Sequence, residues 1–147
     1  MMTLDERLAV IEEAKTWIGT PYHHQARVKG SCGGVDCLTL LAEVYERAGI
    51  IDRADPGNYS EQWMLNRDEE KYIDGLLEYC IEVQMPDMAD IAVWRIGRTY
   101  SHGAIVLSWP HLVIHAYLPE RFVVYGDPSK GDLAERKVRF FSPRGRK

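Results

Sequence analysis

The chain has few cysteines: Cys32, Cys37 and Cys80 are all it carries. So small and odd a number is no disulfide framework, and it fits a chain made and folded in a reducing compartment. No run approaches the roughly 18 consecutive apolar residues of a membrane-spanning helix. The opening residues, Met1 to Arg7, are charged where a secretory signal would be apolar. No signal peptide is therefore expected, and a role outside the cytoplasm would need another carrier. Neither sign of charge dominates: 18 basic and 22 acidic residues give a net charge of −4. That balance argues against a dedicated nucleic-acid binder. The locally basic end comprises Arg136, Lys137, Arg139, Arg144, Arg146 and Lys147. It reads as a solvated strand and tail, or more sharply as a weak attraction to an anionic surface. Also missing are a phosphate loop followed by Lys-Ser/Thr and a dinucleotide fingerprint; the glycines from Gly30 to Gly34 match neither. Repeats, low-complexity segments and linkers are absent too. With 147 residues, 46% of them apolar, the chain is expected to form one domain, residues 1–147, around its own core.

What is present has a clear order. Thr3 and Glu6 form a capping-box pattern, and Leu4, Leu8, Ile11, Ala14 and Trp17 or Ile18 follow at helical spacing. Gly19 and Pro21 end that helix. A second helix is expected to start at Asp36 or Cys37, with Leu38, Leu41, Ala42, Tyr45 and Ala48 as its buried stripe and Gly49 as its left-handed cap. After a loop with Pro56 and Gly57, a third helical region is expected from about Ser60 to Cys80, packing through Tyr72, Ile73, Leu76, Leu77 and Cys80. The second half reads as strands: Ile91 to Ile96, Ala104 to Trp109, Leu112 to Leu118, Phe122 to Tyr125 and Lys137 to Phe141. Helices followed by antiparallel strands give an α+β class.

A thiol is a weak nucleophile until it loses its proton. Cys37 stands at a helix start, where free amides and the helix dipole favour the thiolate and can also face an oxyanion. A buried structural cysteine is the plainer alternative. Cys32 and Cys80 read as structural. A nucleophilic cysteine needs a base, and the base an orienting partner. His102 and His115 lie on consecutive strands. With the turn between Trp109 and Pro110, residue 104 faces residue 115, and the two histidines become diagonal neighbours on one face. A slip of one residue would separate them. His23, His24 and His111 fall in loops and are expected to be exposed. His23, His24, Cys32 and Cys37 match no common zinc spacing, so no metal is expected, and nothing in the sequence indicates a cofactor.

Trp17 to Tyr22 (Trp-Ile-Gly-Thr-Pro-Tyr), followed by Gly33 to Leu38 (Gly-Gly-Val-Asp-Cys-Leu), resembles the start of the NlpC-type cell-wall cysteine peptidases. The run from Tyr22 to Gln25 and the pair Lys29-Gly30 resemble the branch carried by phages and prophages. The resemblance implies a papain-like α+β fold with Cys37 as nucleophile, His102 as base, and His115 as third polar residue. It implies Tyr22, beside Asp36, at the oxyanion or active-site wall. It also implies hydrolysis of a peptidoglycan stem peptide at the D-glutamyl–diamino acid bond, with phage tail proteins as partners and the virion as carrier. Gln25, Arg27 and Lys29, on the loop before the nucleophile, are candidates for gripping substrate, the two cations by meeting its carboxylates. Two departures stand out: Thr39 replaces the usual Gly two residues after the nucleophile, and Met88-Ala89-Asp90 replaces a Gly-Asp turn. Thr39 is expected to narrow the pocket. A related thiol amidase or acyltransferase, and a tail-assembly protein of little activity, remain as alternatives.

Overall fold

The computed structural model describes residues 1–54 and 70–145. Helix α1 (Leu4–Lys15) opens with the expected capping box, Thr3 and Glu6 each accepting from the other's backbone amide. Its buried face keeps the expected Ile11 and Ala14, with Trp17 just beyond, but departs from expectation in the first two turns. Arg7, Val10, Ile11 and Ala14 turn inward, while Leu4 and Leu8 are exposed. The cause lies far along the chain. Arg7 donates to the Met88 carbonyl at 2.7 Å and to the buried Asp90 carboxylate at 2.8 Å, and that ion pair sets the rotation of the helix.

Past α1, Gly19 adopts φ +88° and the chain turns back. Two short strands, β1 (Arg27–Val28) and β2 (Gly34–Val35), pair antiparallel and deliver the chain to α2 (Cys37–Arg47). Helix α2 is buried nearly all round, from Cys37 through Tyr45. Gly49 follows with φ +78°, the expected cap. Helix α3 (Lys71–Leu77) buries Tyr72, Ile73 and Leu76. Leu77 is exposed, and Cys80 opens strand β3 (Cys80–Val83) instead of ending the helix. The part of that expected helix before residue 70, with Pro56 and Gly57, lies outside the described residues. Cys80 is tied into the sheet by pairing with Pro143, a partner 63 positions away that local spacing cannot reveal.

The remaining strands are β4 (Ile91–Ile96), β5 (Thr99–Ser108), β6 (Leu112–Tyr117), β7 (Phe122–Gly126) and β8 (Val138–Pro143). With β3 they form a six-stranded antiparallel sheet in the order β3-β8-β4-β5-β6-β7. One face packs on the helices: Ile91, Val93, Ile105, Ile114 and Phe141 meet Leu40, Leu41 and Val44 of α2. The other gathers Ala92, Trp94, Ala104, Val106, Val113 and Phe140, closed by Leu133. Along the outer edge of β7 runs the segment from Gly19 to Tyr22. Gly19 donates to the Val123 carbonyl, Val123 to that of Thr20, and Tyr22 to that of Arg121.

Much of the basic end is paired. Arg136 meets Asp132, Arg139 makes a two-pronged pair with Glu82, and Arg144 donates to the carbonyls at the end of α3. Among the described residues, no helix is long and apolar enough to cross a membrane.

The Arg7–Asp90 pair generates the first prediction. Arg7→Met leaves a buried carboxylate without its cation and should cost about 3–5 kcal/mol in urea unfolding. Adding Asp90→Asn should return part of that loss. A single substitution as stable as the wild type would show that the pair does not set the packing of α1.

Candidate functional site

The site is organised by the start of α2. Asp36 is its N-cap: one carboxylate oxygen accepts from the amides of Leu38 and Thr39, and the other accepts from the Gln25 amide at 2.8 Å. One buried side chain thus ties the helix start to the preceding loop, where Gln25 holds φ +62°. Thr39 completes the cap. Its hydroxyl accepts the Asp36 amide and donates to the Ala26 carbonyl at 2.8 Å. The departure at Thr39 therefore braces the loop, and the expected narrowing of a pocket gives way to a capping role. With the amides of Leu38 and Thr39 already occupied, the amide of Cys37 itself is what the first turn keeps for other partners.

Cys37 is nearly buried, and its thiol donates to the Ser101 carbonyl at 3.5 Å. Burial, and next the charge of Asp36, push the thiol up to about 12; the amides of Gly103 and Cys37 and the Tyr72 hydroxyl pull the other way without winning. Burial thus works against the thiolate that the helix start favours. The sulfur lies against main chain on both sides of His102. Tyr72, from α3, donates to the Cys37 carbonyl at 3.2 Å. A side chain at Gly103 would collide with the Tyr72 hydroxyl and with Leu41. Glycine at 103 is what lets α2 and α3 approach β5 so closely.

The register of β5 and β6 agrees with the sequence expectation. Ile105 faces Ile114, so His102 and His115 are diagonal neighbours on one face. Their rings are joined by a hydrogen bond of 2.9 Å between His102 Nε2 and His115 Nδ1. Both are buried. Burial, followed by the neighbouring His115, takes His102 well below the ordinary imidazole range, and burial takes His115 down to about 4. Burial thus favours the neutral form of the thiol and of both imidazoles. A bulge in β5 between the pairs Trp94–His102 and Arg95–Tyr100 leaves Ser101 as the extra residue. It turns the Ser101 carbonyl to the thiol, while the buried Ser101 Oγ has no partner among the described residues.

Three neighbours of the imidazoles escaped the sequence reading. Trp94, the register partner of His102, has its ring 5.8 Å away. Tyr117 stacks on His115, and Gly126 sits beside His115 Nε2. The usable signal was alternation: Tyr117 lies two residues after His115 and shares its face.

The other candidates are placed differently. Tyr22 is partly buried against the core, bridged to Val35 and hydrogen-bonded to Arg121. Arg27 is held by Glu43, Glu46 and the Ala54 carbonyl. Lys29 is paired with Glu13 at 2.6 Å and lies over the Trp17 ring. These two cations brace the loop against α1 and α2, with their charges already matched inside the protein. His24 is half-buried near Asp36, whereas His23 and His111 are exposed as expected. Cys32 is exposed, Cys80 is buried, and both are free thiols. Ala89 takes φ +73° in a fully buried turn, where the Gly of the resembled pattern would be unstrained. Among the described residues, no group of three His, Cys, Asp or Glu side chains gathers to hold a metal.

The depressed imidazoles carry a stability prediction. Unfolded histidine titrates near pH ~6.5, whereas folded His115 titrates at about 4. Between those values the unfolded chain binds the extra proton. Stability is therefore constant above roughly pH 6.5 and falls as pH drops towards 4, by about 3 kcal/mol for His115. Urea unfolding across this window should show a shallower loss for His115→Gln than for the wild type. Equal slopes would place the titration elsewhere.

No sequence-family model and no curated protein sequence matches the chain. Solved structures do. NlpC1 from Trichomonas vaginalis superposes with a TM-score of 0.68 at 17% identity, over 97% of this chain and 45% of that one. The NlpC/p60 domain of the peptidoglycan hydrolase SagA gives 0.58 at 22% identity, over 90% of this chain and 96% of the domain. A lipoprotein-like protein of the NLP/P60 family from Staphylococcus aureus gives 0.64 at 22% identity, over 94% of this chain and 42% of its own. The chain thus spans under half the length of the Trichomonas and Staphylococcus proteins. The fold, helices packed on a six-stranded antiparallel sheet, is the papain-like α+β fold of NlpC/p60 domains.

Proposed function

We propose that the chain is a cysteine peptidase of bacterial cell walls, acting as a single NlpC-type domain. The observation that carries this reading is the His102–His115 hydrogen bond, set against a cysteine at a helix start whose sulfur touches the main chain flanking His102. In this reading, Cys37 gives its proton to His102 and attacks the substrate carbonyl carbon. His102 then passes the proton to the leaving amine, and water hydrolyses the thioester. His115 orients His102. The Cys37 amide faces the oxyanion, and Tyr22 walls the site. Asp36 acts through the cap and touches no substrate. Gln25 stays within the loop that Asp36 holds.

The neutral resting site has a consequence for this chemistry. Burial disfavours a stored thiolate or imidazolium, so in this reading the proton moves as substrate draws the thiol from the Ser101 carbonyl. Catalytic hydrogen bonds often tighten only in the substrate complex. The substrate we infer is the stem peptide of peptidoglycan, cut between D-glutamate and the diamino acid. The setting we infer is a phage or prophage tail, with tail proteins as partners and the virion as carrier to the wall. The motif from Trp17 to Tyr22 with Asp36-Cys37 supports the first, and the run from Tyr22 to Gln25 with Lys29-Gly30 supports the second. The same buried thiol favours a second reading, an assembly domain with little hydrolysis of its own.

Digestion of defined tripeptide and tetrapeptide muropeptides, read by mass spectrometry, separates these readings. The expected products are those of D-glutamyl–diamino acid cleavage, with no cleavage of ordinary all-L proteins. Cys37→Ala should abolish turnover and leave the fold intact. His102→Ala should lower kcat by about 10²–10⁴-fold, and His115→Ala by less. Loss of the lactyl amide linkage would identify an amidase. An intact muropeptide beside a reactive Cys37 would favour the acyltransferase or an enzyme that waits for its tail partners, whereas an unreactive Cys37 would favour the assembly domain.

A further inference from the structure

The His102–His115 bond is useful only in one of its two proton arrangements. If His102 Nε2–H donates to His115 Nδ1, then His102 Nδ1 keeps its lone pair and can take a proton. In the opposite arrangement His102 carries its proton on Nδ1 and cannot serve as base there. Whatever fixes the His115 ring therefore bears on the competence of His102.

Two features bracket that ring. Tyr117 lies parallel to it, with ring centroids 4.5 Å apart and planes inclined by 10°. The same tyrosine stands 5.4 Å from His102 at 48°, so it touches both members of the pair. Gly126, on β7, offers bare backbone to the other end of His115: a Cβ built there would lie 2.7 Å from Nε2. Gly126 pairs with Val113 and Val124 with His115, so this strand packs beside the ring by its regular register. Trp94 then limits His102 at 5.8 Å. Tyr117 is only partly buried, and its hydroxyl makes no hydrogen bond among the described residues. Its contribution is the ring face.

We propose that Tyr117 is a positioning residue: its ring, working against the bare backbone of Gly126, holds the His115 ring with Nδ1 against His102 Nε2, the placement in which Nδ1 can accept from His102 Nε2–H. The proposal rests on the reading of His102 as base. The charged groups nearest Tyr117 are Asp132 and Arg136, from the segment after β7, and Glu120, from the turn after β6. His115 faces His102 from β5 and Tyr117 from β6.

The test uses the full chain with ¹⁵N-labelled histidine. NMR reads the His102 tautomer and the His115 titration, and muropeptide digestion reads kcat and KM. Tyr117→Phe keeps the ring and should match the wild type in all four. Tyr117→Leu should mix the His102 tautomers and move the His115 titration up from about 4 towards its ordinary value. It should lower kcat on the order of 100-fold while KM stays within about twofold. Gly126→Ala, pressing on His115 from the other side, should give the same tautomer mixing. Tyr117→Leu with wild-type tautomer and titration overturns the proposal, whatever happens to kcat. If that variant fails to fold, a folded Gly126→Ala with unchanged imidazoles overturns it instead. A wild-type protein without hydrolysis would defeat the peptidase reading alone, since the NMR arm still decides whether Tyr117 holds His115.

Discussion

The Asp36 carboxylate is the interaction on which the site depends. It caps α2 through the amides of Leu38 and Thr39, and it anchors the preceding loop through the amide of Gln25. Each bond alone is ordinary. Together they fix the angle between loop and helix and so aim Cys37 at β5. The bonds are charge-assisted and buried, where such bonds are strongest and where losing one leaves an orphaned amide. The cap has a cost for the chemistry, because the same negative charge stands next to the thiol and opposes its ionisation. Architecture and reactivity pull in opposite directions at one residue.

Burial weighs more than that charge. A helix start favours a thiolate by a modest amount, whereas full burial of a charge is far more expensive. At Cys37 burial prevails, and at His102 and His115 it prevails in the complementary sense, stripping protons from the imidazoles. The three groups reach the same neutral condition for the same reason.

Much of this could be read from the sequence where the cause is local. Thr3 and Glu6 cap α1, Asp36-Cys37 opens α2, and β4 runs from Ile91 to Ile96 as its β-branched run suggested. The histidine pair was legible because alternation and one turn position settle the register between β5 and β6. What escaped depends on distant partners. Leu4 and Leu8 look like a core stripe until Arg7 finds Asp90. Arg27 and Lys29 look like free loop cations until Glu43 and Glu13 come up beneath them. Cys80 looks helical until β8 pairs with it. The protonation of Cys37 escaped for the same reason, since desolvation belongs to the assembled protein and not to any short window of it.

The pairing of Gly19 to Tyr22 along β7 has a wider meaning. An outer strand with unpaired amides and carbonyls invites another extended chain to join the sheet. Here the protein's own backbone already occupies that rim, through the bonds of Gly19, Val123 and Tyr22. At Arg121 to Val123 no other extended chain can lengthen the sheet from the β7 side. The same self-pairing takes the start of β7 away as a template for another extended chain.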